Sequence, residues 1–190
     1  NQFGVDANAA YSSAGRIDNF AAMPAMSFAV ALSTFVGQNL GANRPDLVSR
    51  GLRATLLMTG GFSLFISLIT ILFGKYLMRL FTTDPVVVDL GVEYLLVIGS
   101  TYILFSTMFV INGVLRGAGD TLVPMFISLF SLWIIRIPMA WVLSHTADMG
   151  VSGIWWSIPA GWFSGVVLYY FWYRMGNWRR KPVTLTPEKH

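Results

Sequence analysis

The chain contains no cysteine and few charged side chains, and both shortages restrict what it can be. The absence of cysteine excludes disulfide bonds. Charged residues make up only 12% of the chain, whereas soluble domains usually contain about 25%. Apolar residues make up 55%, and the mean hydropathy is +0.60. A soluble all-α protein of this composition would have too little polar surface to cover its helices.

The chain contains five long apolar stretches. Each is about as long as the roughly 20 residues that a helix needs to cross a bilayer. Arg136 is the only charged residue in the interior of any of them. The pattern predicts an all-α polytopic membrane protein with five transmembrane helices, preceded by an external loop at residues 1–15. The five stretches are Phe20–Leu40, Ala54–Phe73, Tyr94–Leu115, Thr121–Leu143 and Val151–Tyr173.

Basic residues are concentrated on one side of the predicted spans. That side comprises residues 41–53, residues 113–121 and the tail after Tyr173, and the opposite side is mainly acidic. Because basic residues favour the cytoplasm, the pattern predicts a cytoplasmic tail and an external segment before Phe20. Topology also explains the net charge of +4, so no nucleic-acid partner is expected.

The start of the chain indicates a longer protein. The chain begins with Asn1 rather than with methionine, and residues 1–20 lack the basic start and short apolar core of a signal peptide. We therefore expect the chain to begin inside a longer protein and the five spans to be part of a larger bundle.

Arg136 is the most costly residue to place in a membrane, because a charged group at the centre of a spanning helix costs about 2.5–3.5 kcal/mol. We therefore expect it to face the bundle interior or a water-filled cavity, with Pro138 kinking the helix nearby. It is either a residue of the substrate path or gate, or a structural cation that binds carbonyl groups freed by the kink.

Acidic residues near the external ends of two spans are candidates for binding a proton or Na⁺. Asp18 lies close to Arg16 in the sequence, and the two can form an ion pair. Asp89 and Glu93 are better explained as solvated residues in the first turns of a helix, where acids suit the helix dipole. We take Asp18 as a candidate residue of the substrate or ion pathway, together with Tyr102.

Uncharged polar residues form a second group of candidates. Gln38, Asn39 and Asn112 are expected to hydrogen-bond between helices or to line the pathway. Glycines four residues apart permit close helix packing, and the pairs are Gly37/Gly41, Gly113/Gly117 and Gly161/Gly165. Most aromatic residues of the last span are expected to be anchors at the membrane interface. The alternative for some of them is to line a cavity for flat organic cations by stacking. These residues are Trp155, Trp156, Trp162, Tyr169, Tyr170, Trp172 and Tyr173.

Enzyme signatures are nearly absent, so we expect a protein that is not an enzyme and that needs no metal or cofactor. No HExxH or phosphate-loop motif occurs. The segment Gly150–Gly153 is similar to the G-x-S-G of intramembrane serine proteases, but such a serine needs a histidine on another helix. One of the two histidines lies in the adjacent link His145–Gly150, and the other is the last residue. A turn of small residues explains the motif better.

Four motifs follow one another along the chain. The first is G-Q-N-L-G-A at Gly37–Ala42, and the second is L-R-G-A-G-D-T at Leu115–Thr121, followed by Pro124. The third is R-I-P at Arg136–Pro138, and the fourth is G-V-S-G-I-W at Gly150–Trp155. In sequence and order they resemble motifs of the MATE (multidrug and toxic-compound extrusion) transporters. The residues that this resemblance marks are Gly37, Gly41, Arg116, Gly117, Asp120, Pro124 and Pro138.

The resemblance extends from about Ala9 to about Tyr173 and implies part of a larger fold. It implies helices 8–12 of a twelve-helix bundle, in which residues 1–175 form part of the C-terminal lobe and residues 176–190 form a basic cytoplasmic tail. It also implies that the partner is the N-terminal lobe of the same protein, and that the protein is multi-pass in the plasma (inner) membrane.

The family exports amphipathic, often cationic drugs by alternating access, in exchange for H⁺ or Na⁺. The resemblance therefore implies a multidrug efflux antiporter, with small organic compounds and the lipid bilayer as its other partners. Some Na⁺-coupled members have an acid about three turns before the R-G, where this chain has Phe105-Ser106-Thr107. We therefore favour H⁺ as the coupling ion.

Two other functions stay open. A flippase for lipid-linked oligosaccharide is built on a similar bundle and would have several cationic residues in its cavity, whereas Arg136 is the only charge inside these spans. A membrane enzyme would need a buried Ser–His pair or a metal cluster.

Overall fold

The computed structural model describes residues 4–147, 149–176 and 178, and every regular element in these ranges is a helix. Four single helices are long and apolar enough to cross a membrane, and two shorter helices joined at a bend make a fifth span. The prediction of five spans is therefore confirmed. The helices are α1 (Gly4–Gly41), α2 (Pro45–Arg79), the bent pair α3 (Pro85–Ser100) and α4 (Tyr102–Gly117), α5 (Leu122–Thr146) and α6 (Val151–Met175).

The first helix begins much earlier than expected. Residues 1–15 are predicted to be an external loop, but α1 already begins at Gly4. Ala7, Ala10 and Ala14 are buried along one face of this extension. The loop prediction is wrong because alanine is the strongest helix former, and its small side chain lets a helix pack closely.

The third span also differs from the uninterrupted helix predicted at Tyr94–Leu115. It begins at Pro85, where the side chain of Asp84 accepts a hydrogen bond of 2.9 Å from the Val86 N–H and caps α3. The axis then bends by 51° at Thr101, between α3 and α4. The span is therefore longer than predicted and is made of two helices.

Local hydroxyl groups explain the bend. Ser100 and Thr101 donate to the Val97 carbonyl oxygen at 2.8 and 3.0 Å, in competition with the main-chain N–H groups. Ser67 of α2 donates to the carbonyl oxygen of Gly99. Because hydroxyl groups satisfy the carbonyl oxygens at the break, the helix bends within the membrane without a proline.

The fourth span, α5, is not a regular α-helix. Its segments Phe130–Arg136 and Val142–Thr146 are π-helical and lie on either side of Ile137–Trp141. Pro138, which has no N–H donor, is in the first turn of that middle segment, directly after the π-helical turns that end at Arg136. The kink expected near Pro138 thus takes the form of π-helical turns, and His145 lies inside the helix rather than in a link.

Two clusters of buried side chains hold the helices together, one at each end of the bundle. One joins α1, α2, α4 and α6 around Tyr169 and Trp178. The other joins α1, α2, α3 and α6 around Tyr94 and Trp155. The end that contains the first cluster is called the basic end, because its described cations are Arg44, Arg50, Arg53, Arg116 and Arg174.

The predicted tail, residues 176–190, begins with a packed residue. After α6 ends at Met175, Gly176 adopts a left-handed conformation with φ of 73°. Trp178 then stacks on Tyr173 at 5.2 Å, and its indole N–H donates to the Tyr173 carbonyl oxygen at 2.9 Å. Residue 177 and residues 179–190 of the predicted tail lie outside the described residues.

The aromatic residues of α6 are divided between interior and surface. Tyr169 and Trp155 are buried, whereas Trp156 and Tyr170 are exposed. Interface anchoring therefore does not describe the buried ones. The reason is that α6 packs against α3 and α4 on one side and α5 on another, which leaves only part of its circumference outside.

Two glycines of α4 bring its backbone into contact with that of α1. A Cβ atom at Gly113 would lie 2.5 Å from the carbonyl oxygen of Ala29, and one at Gly117 would overlap the carbonyl oxygen of Ser33. Gly37 of α1 faces the same crossing, since its Cβ would lie 3.4 Å from the Gly117 carbonyl oxygen. Small residues at this spacing permit such an approach.

We expect Gly117→Ala to destabilise the full-length protein by about 1–3 kcal/mol, because the added methyl group forces the backbones of α1 and α4 apart. The free energy of unfolding in mixed detergent micelles measures this. Gly61→Ala is the matched control, since no described residue of another helix lies within 4 Å of a Cβ added at Gly61. Equal destabilisation by both variants would contradict the proposed crossing.

Candidate functional site

Asp18 lies where four helices meet, at the end of the bundle opposite the basic end. It is half-buried on α1, and Tyr94 of α3 donates a hydrogen bond of 3.3 Å to its Oδ2. Tyr102 of α4 is only 3% exposed, and its hydroxyl neighbours both the Asp18 carboxyl and the Thr70 hydroxyl of α2. Tyrosine hydroxyl groups from two other helices therefore lie beside one carboxylate, and the Thr70 hydroxyl lies next to one of them.

The bend at Thr101 places the two tyrosines around this carboxylate. Tyr94 lies before the bend and Tyr102 directly after it. On a straight α-helix these two positions would be separated by about 12 Å along the axis. With the axis turned by 51°, both side chains point towards Asp18.

An aromatic group fixes the orientation of Tyr94. The rings of Tyr11 and Trp155 are stacked with their centroids 5.8 Å apart. Tyr94 stands edge-on to both, at 5.6 and 5.1 Å. Since the three rings come from α1, α3 and α6, the group also holds these helices together beside Asp18.

The Asp18 carboxylate has no cationic partner within 4.0 Å in the part of the chain that the structure describes. The expected pair with Arg16 does not form, and Arg16 is exposed. A half-buried carboxylate with only hydroxyl neighbours can accept a proton, or it can share a small cation with the hydroxyl oxygens.

Glu93 has a structural partner rather than a solvated position. Ser152, at the start of α6, donates a hydrogen bond to its carboxylate and so ties α3 to α6. His145 instead lies within hydrogen-bonding distance, 2.8 Å, of the neighbouring Ser144 hydroxyl. The serine of the G-x-S-G segment therefore faces a carboxylate, and Asp89 is exposed as expected.

Arg136 lies on the face of α5 that is turned towards α6. Its side chain passes over Gly161, where an added Cβ would lie 3.4 Å from the Arg136 Cβ and 3.8 Å from its Cδ. It lines a pocket of about 180 Å³ between α4, α5 and α6. The guanidinium makes no hydrogen bond to a freed carbonyl oxygen of any described residue.

A second polar cluster lies towards the basic end, around the fully buried Tyr169 of α6. Its hydroxyl donates to the Pro124 carbonyl oxygen at 2.8 Å and accepts a bond of 2.7 Å from the Asn112 side-chain amide. The Ser128 hydroxyl lies 2.7 Å away. One hydroxyl thus connects α4, α5 and α6, and Asn112 makes the bond between helices that its position indicates.

The L-R-G-A-G-D-T segment forms the connection from α4 to α5. Asp120 is fully buried, and its carboxylate accepts a hydrogen bond of 2.8 Å from the Trp172 indole N–H. Gly119 has a φ of 80°, which permits the tight turn, and Arg116 is exposed. The motif therefore fixes the connection between two helices.

The residues at the end of α1 make no bond to another helix in the described ranges. Asn39 donates to the Phe35 carbonyl oxygen of its own helix at 2.7 Å. Gln38 and Gly41 are exposed. Bonding between helices, as expected for Gln38 and Asn39, is therefore absent from the part of the chain that the structure describes.

Sequence comparison decides the family. The model of the MatE family matches residues 1–142. The chain belongs to the MATE family. A probable multidrug resistance protein of Bacillus subtilis, YoeA, is 28% identical to it over 97% of this chain and 40% of that protein. A probable multidrug resistance protein of Thermotoga maritima, NorM, is 29% identical over 98% of this chain and 40% of that protein.

Solved MATE structures have the same fold. A structure described as the MATE transporter ClbM in complex with Rb⁺ has a TM-score of 0.86 and 22% identity, over 94% of this chain and 42% of that one. The eukaryotic MATE transporter AtDTX14 has a TM-score of 0.83 and 22% identity, over 92% and 39%. This MATE chain spans about 40% of the length of the relatives that it matches, so it is part of the twelve-helix bundle.

The sequence of this MATE chain does not single out several residues of the two polar clusters. Tyr169 and Trp172 fit the pattern of interface anchors, and Tyr94 is one residue of an apolar span, although a buried tyrosine usually needs a hydrogen-bond partner. Ser128 gives no signal by itself, because its importance depends on which helix lies opposite.

Tyr169→Phe is expected to lower the stability of the full-length protein by about 1–3 kcal/mol, because it leaves polar groups of α4 and α5 without their shared partner on α6. Thermal unfolding in detergent measures this. Tyr170→Phe removes the same hydroxyl from the exposed neighbour and should change stability by less than about 0.5 kcal/mol. If the two variants melt alike, the hydroxyl of Tyr169 does not connect the helices.

Proposed function

We propose that the protein to which this chain belongs is a secondary active multidrug efflux antiporter. It exports amphipathic or cationic organic compounds by alternating access, in exchange for an ion. The observation that carries the coupling is Asp18, a half-buried carboxylate within a spanning helix that has hydroxyl neighbours and no cationic partner in the described chain. Intramembrane acids of this kind are typical of ion pathways.

H⁺ is the coupling ion that we favour. The position of the acid found in some Na⁺-coupled members corresponds here to Phe105–Thr107, and Phe105 packs against Phe109 and Trp162 at 4.5 and 5.2 Å. This position holds no carboxylate for a hard cation such as Na⁺, and the Ser106 hydroxyl donates to the Ile103 carbonyl oxygen of its own helix. The proposed Asp18 site needs only one carboxylate to carry a proton.

The proposed substrates are small organic compounds. Arg136 is the only charged residue in the interior of the predicted spans. A sparsely charged, aromatic pathway suits amphipathic cations, which stack on aromatic rings. An alternative is a flippase for lipid-linked oligosaccharide, which would have to take its additional cations from the rest of the protein.

The proposed setting is the plasma (inner) membrane, with the basic end and the C-terminus in the cytoplasm. The charge asymmetry between the two ends supports this orientation. The remaining partner is the N-terminal lobe of the same protein, which this chain does not include.

Cells that lack efflux pumps and express the full-length protein should export ethidium, and export should stop when the pH gradient is collapsed but not when the Na⁺ gradient is. Asp18→Asn should reduce export to the level of cells without the transporter, because the amide cannot carry the proton. Ethidium fluorescence follows the export.

The matched control is Asp89→Asn, which removes an exposed carboxylate at the same end of the bundle and should leave export unchanged. Normal export by Asp18→Asn would disprove the role of Asp18. Absence of export by wild-type protein that is present in the membrane would favour the flippase.

Single cysteines can test the orientation, because this chain contains none. Any cysteine elsewhere in the full-length protein is first replaced by serine. Thr83→Cys lies in the exposed connection between α2 and α3 and should react with an impermeant maleimide in intact cells. Asn43→Cys, in the exposed turn at the basic end, should react only after permeabilisation. The reverse pattern would place the basic end outside.

A further inference from the structure

The pocket beside Arg136 contains two polar groups that neither the proposed export mechanism nor the Tyr169 cluster uses. Ser131 and Arg136, both on α5, line this space of about 180 Å³, together with Ser128, whose hydroxyl lies 2.7 Å from that of Tyr169. Most of the remaining wall is apolar and includes Met108 of α4, and Ile158 and Trp162 of α6. The pocket therefore combines one polar face with an apolar body.

Both polar groups lack a hydrogen-bond partner within the described ranges. Ser131 is only 5% exposed, and its hydroxyl makes no hydrogen bond to a residue that the structure describes. The Arg136 guanidinium, half-buried, makes no hydrogen bond or ion pair with any described residue. Buried polar groups are nearly always satisfied, and an unpaired cation within a membrane is especially unfavourable. The pair is thus a donor site that lacks an acceptor.

The π-helical segment Phe130–Arg136 brings these two groups to one face of α5. Residues five apart on an α-helix, with 3.6 residues per turn, point in widely different directions. In a π-helix residue i bonds to residue i+5, so Ser131 and Arg136 are one turn apart and stacked along the same side. Such π-helical turns occur frequently at functional sites.

We propose that this pocket binds the carboxylate of a small amphipathic organic anion. The guanidinium fork matches a carboxylate in two parallel hydrogen bonds, and the Ser131 hydroxyl supplies a further donor. The apolar wall takes the body of the molecule. A cavity of about 150 Å³ lined by apolar side chains holds benzene, so a pocket of 180 Å³ has room for a benzoate ion.

Gly161 keeps the pocket open. It lies under the Arg136 side chain, with an added Cβ 3.4 Å from the Arg136 Cβ and 3.5 Å from the Ser131 carbonyl oxygen. A single methyl group fits at these distances, but the branches of a valine would enter the space that the anion needs. The position therefore offers a way to fill the site without removing its charge.

Binding of radiolabelled benzoate to the full-length protein, purified and stripped of lipid, tests the proposal by equilibrium dialysis. Wild-type protein should bind benzoate saturably, and neutral benzamide should not compete. Arg136→Gln should weaken binding by about tenfold to a hundredfold, the loss expected for a charge-assisted pair. Arg53→Gln, which removes an exposed cation of α2, should leave binding unchanged.

Two further variants separate binding from folding. Ser131→Ala should weaken benzoate binding by several fold while thermal stability in the absence of benzoate stays equal or rises, because the lost hydroxyl has no partner there. Gly161→Val should abolish binding with the guanidinium still present. A purely structural role of these residues would change stability instead of affinity.

The anion has two natural sources, a membrane fatty acid or a soluble carboxylate, and mass spectrometry of extracts distinguishes them. A fatty acid that copurifies with wild-type protein but not with Arg136→Gln indicates the membrane source, and benzoate binding without such a lipid indicates the soluble one. The proposal is overturned if wild-type protein binds no benzoate, if Arg136→Gln binds it equally well, or if benzamide competes equally. None of these outcomes depends on drug export.

Discussion

Backbone contact between α1 and α4 is the constraint on which the rest of the bundle depends. Gly113 and Gly117 leave no room for a side chain against Ala29 and Ser33, so the two helices are held at a fixed crossing. Because α4 continues into α3 through the bend, this crossing also sets where Tyr94 lies relative to α1. A carboxylate of α1 and tyrosine hydroxyl groups of α3 and α4 are thereby brought together by a contact between main chains.

Tyrosine hydroxyl groups contact polar side chains of other helices at both ends of the bundle, but the two polar clusters differ in how completely their groups are hydrogen-bonded. Tyr169 has a complete set of partners in Asn112, Ser128 and the Pro124 carbonyl oxygen, so its cluster is closed and serves stability. The Asp18 carboxylate, by contrast, has no cationic partner, and Arg136 is likewise unpaired among the described residues. In a membrane, groups left open in this way are suited to a partner that comes and goes.

Hydropathy was enough to predict the five spans, because every residue of a stretch contributes to the signal. The bend could not be predicted in this way: Gly99, Ser100 and Thr101 are ordinary in a spanning helix, and their effect depends on Ser67 of α2 opposite them. The role of Tyr169 was missed for the same reason, since its partners lie on two other helices. Asp18 and Arg136 were found because an ionisable group in a span is costly wherever it lies, although the pair expected between Asp18 and Arg16 does not form.

The π turns of α5 let this segment lose a residue without losing its polar face. A π-helical turn holds more residues than the α-helical turn that it replaces. Deletion of one residue between Ser131 and Arg136 would let the stretch return to α geometry with the connections at both ends of α5 unchanged. The two residues would then be four positions apart, and positions i and i+4 of an α-helix lie on one face. The hydroxyl and the guanidinium would therefore stay together, so the face that they share tolerates a change in length that would turn the side chains of a regular helix by about 100°.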